Sequence, residues 1–343
     1  MTTAVLICPG RGTYTKTELG TLARHFPDAA LLEEFDVQRA SAGHETLSKL
    51  DSSACFSKDR HGRGDNASGL IFAASLGDAM SISQDIGIVA VTGNSMGWYT
   101  TLACAGAVTA ADGFNITTTM GQMMQDHGMG GQVLYPHVGP NWQASADQKQ
   151  RLLALVEDIG TRPGHVLTLS IDLGGTLVLA GDHAGLAAFE SYVPQRDRFP
   201  MRLTGHAGFH SPLVAQVSEA AFSHFSVSAF RQPDIPMIDG RGRIWWPHAS
   251  DLNGLWDYTF GHQVTAPYDF THAVTVAARE FAPDVFILAG PGTTLGSAVA
   301  QSLIAANWQG IASKADFQAR QEAEPLLISM GREDQRALVT KGH

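Results

Sequence analysis

The sequence predicts an α/β fold: an α/β-hydrolase-like large domain built on a parallel sheet, with a small ferredoxin-like α+β subdomain inserted into it. Three observations carry that prediction. Residues 86–105 read as an apolar strand, a Gly93-Asn94-Ser95-Met96-Gly97 turn and a run of small helix-compatible residues, the strand-turn-helix setting of a nucleophile elbow. Two further apolar runs, Val5 to Cys8 and Asp284 to Leu288, each end in a glycine-rich turn. From Gly130 to about Pro200 the texture changes to two helical stretches interleaved with short β-rich runs, as in a split β-α-β unit. The large domain is accordingly expected over 1–129 and 204–343, and the small one over 130–203.

Taken in order, Val5 to Cys8 is a core strand that runs into Pro9-Gly10-Arg11-Gly12-Thr13, whose glycines free main-chain N–H groups to face a ligand. Lys16 to Phe26 reads as a helix, 40–66 as irregular and polar, and 68–84 as a buried, alanine-rich helix. Ile86 to Thr92 is the strand before the elbow and Trp98 to Ala105 the helix after it. Within the insert, Gln132 to Tyr135, Val166 to Ile171 and Leu177 to Ala180 read as strands, and Asp147 to Ile159 and His183 to Val193 as helices. Met237-Ile238, Trp245-Trp246, 264–278 and 284–288 add strand and helix to the large domain. The last thirty or so residues, with Lys314, Arg320, Arg332, Glu333 and Asp334, read as polar periphery.

A chain of 343 residues, 44% hydrophobic, can bury a substantial core without disulfides or metals to staple it. The three cysteines, Cys8, Cys55 and Cys104, form no C-x-x-C pair and read as reduced thiols, with Cys8 and Cys104 in the core. Lys plus Arg total 23 against 33 Asp plus Glu, a balance of −10 that argues against nucleic acid or an anionic membrane as partner. No apolar run reaches the length of a membrane span, and the N-terminus lacks a basic leader, so a cytoplasmic location is expected. The fourteen histidines include no H-E-x-x-H or Cys/His cluster with ligand spacing, so no metal is expected and most are read as surface or loop residues.

Ser95 is the candidate nucleophile. A serine at an elbow sits on a sharp turn beside a helix N-terminus, whose unpaired N–H groups and positive dipole face the hydroxyl. A serine hydroxyl is a poor nucleophile until a base accepts its proton, so a partner must come from elsewhere in the chain.

Several motifs in one order resemble the malonyl-CoA:acyl-carrier-protein transacylase family, which includes polyketide synthase acyltransferase domains and related acyl hydrolases. Pro9-Gly10-Arg11-Gly12 is similar to its P-G-Q-G, the elbow through Tyr99 to its G-H-S-x-G-E-Y/F, and Ala105 to Asp112 to its A-G-x-L-S-x-x-D. Val178 to Gly181 resembles V-x-x-G, and Phe209-His210-Ser211-Pro212-Leu213 the F/S-H-S-P/A-x-M/L segment. Gln263 to Pro267 resembles Q-x-x-x-P, and Gly290 to Leu295 G-P-x-x-x-L. The resemblance implies that Ser95 attacks a thioester carbonyl with His210 as base, His206 being the fallback. It also implies that main-chain carbonyls of the Gln263 to Ala266 segment orient the imidazole, and that the main-chain N–H groups of Arg11 and Met96 form the oxyanion hole. Ala266 stands where the family often has asparagine, and Arg11 where it has glutamine, leaving open whether the guanidinium serves the cleft or pairs with a nearby acid.

The acyl group is where the chain departs most. Malonyl-specific members carry an R-G-x-x-M-Q segment whose arginine grips the malonyl carboxylate; here it reads Met120-Gly121-Gln122-Met123-Met124-Gln125. A thioether cannot pair with a carboxylate, so a non-carboxylated acyl group is expected, with Met120, Met124, Trp98, Phe209 and Asn94 as acyl-pocket residues. Met123 and Met124 are equally readable as helix core, and Met129 joins the same cluster.

The expected activity is therefore acyl transfer through a Ser95 ester between coenzyme A or a carrier-protein phosphopantetheine and an acyl carrier protein, both thioesters being substrates and no cofactor tightly bound. An acyl-carrier-protein thioesterase using the same Ser-His site is the close alternative, and a non-catalytic scaffold that docks carriers a further one. A plain esterase would need an acid on its histidine, with Asp251 or Asp284 as candidates by order. Arg196, Arg198 and Arg202 are either a docking patch for an acidic carrier or a solvated face.

Overall fold

The computed structural model describes residues 1–340. Among these residues eleven strands fall into two sheets: β1 Thr2–Cys8, β2 Ile86–Gly93, β3 Gly131–Pro136, β4 Leu167–Leu173, β5 Thr176–Gly181, β6 Met201–Arg202, β7 Met237–Ile238, β8 Ile244–Trp245, β9 Tyr268–Asp269, β10 Val285–Leu288 and β11 Leu327–Ser329. The larger sheet has the order β11-β10-β1-β2-β7-β8, parallel throughout except for the β7–β8 edge hairpin. Strand residues alternate between two cores. Ala4, Leu6, Cys8, Val91 and Ile287 face one, and Val5, Ile7, Ala90, Phe286 and Leu288 the other, so helices cover both faces and the strands read as continuous apolar runs.

The smaller sheet has the order β6-β3-β5-β4-β9. Its first four strands and the helices Ala146–Gly160 and His183–Tyr192 follow one another as β-α-β-β-α-β, antiparallel at each contact, the ferredoxin arrangement expected from the insert. Leu152, Val156, Leu186 and Phe189 of the helices pack with Val133, Tyr135, Leu177 and Leu179 into a third core. The fifth strand, β9, comes from beyond the insert and pairs parallel with β4, tying the two sheets together close to the 263–267 segment.

Three expectations are corrected. The 16–26 stretch is split into Lys16–Glu18 and Thr21–His25, because Gly20 adopts φ 80 between them. The supposedly irregular 40–66 region holds the short helices Leu47–Asp51 and Lys58–His61 and the start of the Gly64–Ser81 helix. The 264–278 stretch holds both strand and helix, with Pro267 and β9 separating the His262–Thr265 helix from Phe270–Phe281, since proline cannot continue the first helix. The polar tail is not wholly peripheral: β11 is the edge of the main sheet, and Arg336 is buried against the Asp78 carboxylate, which also accepts from Gly290 N–H at 2.8 Å. Cys8 is buried and Cys104 half-buried, while Cys55 is exposed.

Candidate active site

Strand β2 ends at Gly93, and the chain turns through Asn94, Ser95 and Met96 into the helix Gly97–Cys104. The turn is tight because Gly97 lies against strand β1: a Cβ there would be 2.1 Å from the Cys8 carbonyl oxygen. Asn94 N–H donates to that carbonyl at 2.9 Å, fixing the elbow to the neighbouring strand. Ser95 is held at φ 56, a left-handed conformation that a serine adopts only under constraint from its surroundings. The result is an Oγ displayed just ahead of the helix N-terminus.

His210 arrives from the segment that follows the small subdomain, also at left-handed φ 56. Its Nε2 lies 2.7 Å from Ser95 Oγ and its Nδ1 2.7 Å from the Gln263 main-chain oxygen. A carbonyl can only accept, so Nδ1 carries the proton and Nε2 offers its lone pair to the serine hydroxyl. Burial lowers the His210 pKa to about 4, only partly opposed by the bond to Gln263. The imidazole is therefore neutral at neutral pH. The orienting acceptor is Gln263; Ala266, its expected companion, uses its N–H to cap the preceding helix turn at His262. Neither Asp251, which caps the Leu252–Phe260 helix, nor Asp284, which accepts from Thr3, reaches this histidine.

Three groups absent from the sequence reading brace the pair. The Gln263 side chain donates from Nε2 to the Ser95 carbonyl at 3.0 Å and accepts from Tyr99 Oη at 3.1 Å. Tyr268 Oη donates to the Gly93 carbonyl at 2.6 Å, and its ring packs 5.5 Å from the His210 ring. One local signal was available for Tyr268, its position directly after Pro267; its contact with Gly93 is 175 positions away in sequence.

Ser95 stands where two spaces meet. A broad cleft between the sheets, about 1090 Å³, is lined by the Pro9–Thr13 turn, Asn94, strands of the small subdomain and Arg196 and Arg198 at its rim. A narrow pocket of about 50 Å³ runs inward past Met96, Tyr99, Met120, Met124, Phe209 and Val264. The Arg11 and Met96 main-chain N–H groups donate to no main-chain acceptor among the described residues.

Met120, Met124 and Phe209 line the inner pocket. Trp98 does not: it is fully buried on the opposite side of the elbow helix, its Nε1 donating to Thr259 Oγ1 at 3.0 Å and its ring edge-on to Tyr258. Asn94 faces the broad cleft, with Oδ1 buried and unpartnered. Met123 packs into the large core, and Met129 is 55% exposed. His206 is bonded to Gln132 Oε1 at 2.8 Å, and burial reinforced by the nearby Arg11 charge takes its pKa to about 3. Arg202 is gripped by Glu190 through two bonds, at 2.6 and 2.9 Å.

Arg11 is drawn inward. Its Nη2 donates to the Gly62 carbonyl at 2.9 Å, its guanidinium lies 5.5 Å above the Phe209 ring, and its Nε is buried without a partner. Burial lowers its pKa to about 10, with Asp65 acting in the opposite direction. No cluster of His, Cys, Asp and Glu suited to a metal occurs among the described residues, and none of their helices is long and apolar enough to cross a membrane.

No protein-family model matches the chain, and no match among curated proteins was found. Solved structures are similar in fold. The acyl-carrier-protein S-malonyltransferase of Burkholderia pseudomallei superposes with TM-score 0.75 at 19% identity, covering 98% of both chains. The malonyl CoA-acyl carrier protein transacylase of Coxiella burnetii gives TM-score 0.73 at 16% identity over 98% of this chain and 97% of its own. A malonyl-transacylase solved in complex with a type II polyketide acyl-carrier protein gives 0.69 at 17% identity, over 88% and 93%. Across nearly all of its length, this chain has the malonyl-CoA:acyl-carrier-protein transacylase fold.

Proposed function

We propose that this protein is a serine acyltransferase that moves an acyl group, through a Ser95 ester, from coenzyme A or a carrier-protein phosphopantetheine to the thiol of an acyl carrier protein in the cytoplasm. The observation that carries the reading is the Ser95–His210–Gln263 relay, set where a broad cleft narrows into an apolar pocket. The similarity in fold to transacylases, one of them bound to its carrier, supports the substrate class.

In this mechanism Ser95 Oγ attacks the thioester carbonyl carbon while His210 Nε2 takes its proton. Charge that develops on the carbonyl oxygen is met by the N–H groups of Arg11 and Met96. Collapse expels the thiolate, which recovers the proton from His210, and the acyl group remains on Ser95. A second thiol entering along the cleft reverses these steps. The pantetheine arm runs in the broad cleft and the acyl chain in the narrow pocket. Met120 replaces the malonyl-binding arginine, so the acyl group carries no carboxylate.

Single-turnover decay of acyl-Ser95 tests the transfer. Discharge accelerated at least tenfold by holo acyl carrier protein supports it, whereas equally fast discharge by water alone would make the protein a thioesterase. Failure of any acyl thioester to label Ser95 would leave only a carrier-docking scaffold.

A further inference from the structure

We propose that Arg11 makes the narrow pocket selective for a short, uncharged acyl chain bearing one acceptor oxygen, a keto or hydroxyl group near the thioester. This rests on the acyltransferase reading and names its substrate class.

The pocket is apolar except at identifiable points. Of its polar lining groups, Ser95, His210, Gln263 and Tyr99 are bonded within the relay, which leaves the Arg11 guanidinium and the Ser68 hydroxyl. The only hydrogen bond from the Arg11 side chain among the described residues is the one to Gly62, and its Nε is buried with no acceptor. A buried N–H in an apolar setting is costly to leave alone, and a ligand oxygen is the acceptor the pocket can receive.

The charge balance favours a neutral oxygen over a carboxylate. Asp65 is buried, is paired with Arg63 Nε at 3.0 Å and also acts through space on the Arg11 guanidinium, so Arg11 already lies in the field of an anion. A second carboxylate would bring another negative charge into the neighbourhood of Asp65, and one Nη2 hydrogen already serves the Gly62 carbonyl. Nε is the guanidinium nitrogen that is both buried and unpartnered, and its single N–H fits one acceptor oxygen.

The chain must also be short. The helices Gly64–Ser81 and Ala110–His127 cross with their main chains in contact at the pocket wall: a Cβ on Gly121 would lie 2.5 Å from Gly64 O and 2.7 Å from Ser68 Oγ. The cavity of about 50 Å³ holds roughly four water-sized groups.

The test compares rates of Ser95 labelling by butyryl-, 3-hydroxybutyryl-, acetoacetyl- and malonyl-CoA, followed by intact-protein mass spectrometry, in the wild type, Arg11→Met and Arg11→Gln. We expect the two oxygenated, uncharged chains to exceed butyryl at least tenfold in the wild type, since a site built to bond an oxygen rejects the analogue lacking it. That ratio should fall to within about threefold of unity in Arg11→Met and recover in part in Arg11→Gln, which retains a donor. Ratios within each variant cancel any general loss of activity, and the wild-type order stands even if a variant misfolds. Equal labelling by butyryl, fastest labelling by malonyl, or an unchanged ratio in Arg11→Met would each overturn the inference while leaving the acyltransferase reading intact. Labelling by none of the four would overturn both.

Discussion

Gln263 holds both halves of the site: its main-chain oxygen accepts from His210 Nδ1 at 2.7 Å, while its side chain donates to the Ser95 carbonyl at 3.0 Å. One residue thereby fixes the imidazole and the elbow relative to each other. Gln263→Ala keeps the carbonyl but frees the elbow and leaves Tyr99 Oη without its acceptor. We expect kcat to fall about tenfold with KM within about threefold, because positioning rather than binding is lost. A change confined to KM in steady-state kinetics would contradict this.

The buried histidines set the response to acid. His210 is lowered from 6.5 to about 4 and His206 to about 3, so the unfolded chain takes up protons before the native one does. Native stability is then complete above the unfolded value of 6.5 and declines as pH falls toward about 4. Urea midpoints should drop steadily from pH 7 to pH 4, and His210→Gln should remove part of that drop. The acidic limb of kcat/KM should lie well below 6.5, nearer 4, because the imidazole stays neutral there. A midpoint independent of pH over this range, or a limb at 6.5, would count against the burial argument.

Much of this site is local in sequence and much is not. The elbow and the Pro9–Thr13 turn are legible because glycine is required where main chains touch, as Gly97 touches Cys8. The pairing of Ser95 with His210 spans 115 positions, and only the ordered resemblance of several motifs suggested it. Trp98 does not join the pocket because adjacency to a nucleophile does not say which face of the following helix a side chain occupies, and here it is turned toward Tyr258 and Thr259. The edge strand β11 is not legible in the sequence because three residues give no periodic pattern.

Met120 tests the argument about the acyl group. It is buried on the Ala110–His127 helix and lines the inner pocket. Met120→Arg places a guanidinium where the wild type has only a thioether, so malonyl labelling of Ser95 relative to butyryl should rise at least tenfold, about 1.4 kcal/mol. Competitive labelling with both thioesters measures it. An unchanged ratio in a folded variant would show that Met120 does not set carboxylate selection.

The Asp78–Arg336 pair anchors the C-terminal segment beneath the main sheet. Arg336→Met strands a buried carboxylate, and denaturant unfolding should show a loss of about 3–5 kcal/mol; the double variant Asp78→Asn, Arg336→Met should recover part of it. A loss below about 1 kcal/mol would mean that the segment is held by its apolar contacts alone.

The most direct test is the mass of the protein after brief exposure to an acyl thioester, followed by peptide mapping. We expect one acyl increment on the peptide containing Ser95, absent in Ser95→Ala and formed at least about 100-fold more slowly in His210→Ala. An increment that persists in Ser95→Ala, or none with any thioester offered, would contradict the serine acyl-enzyme.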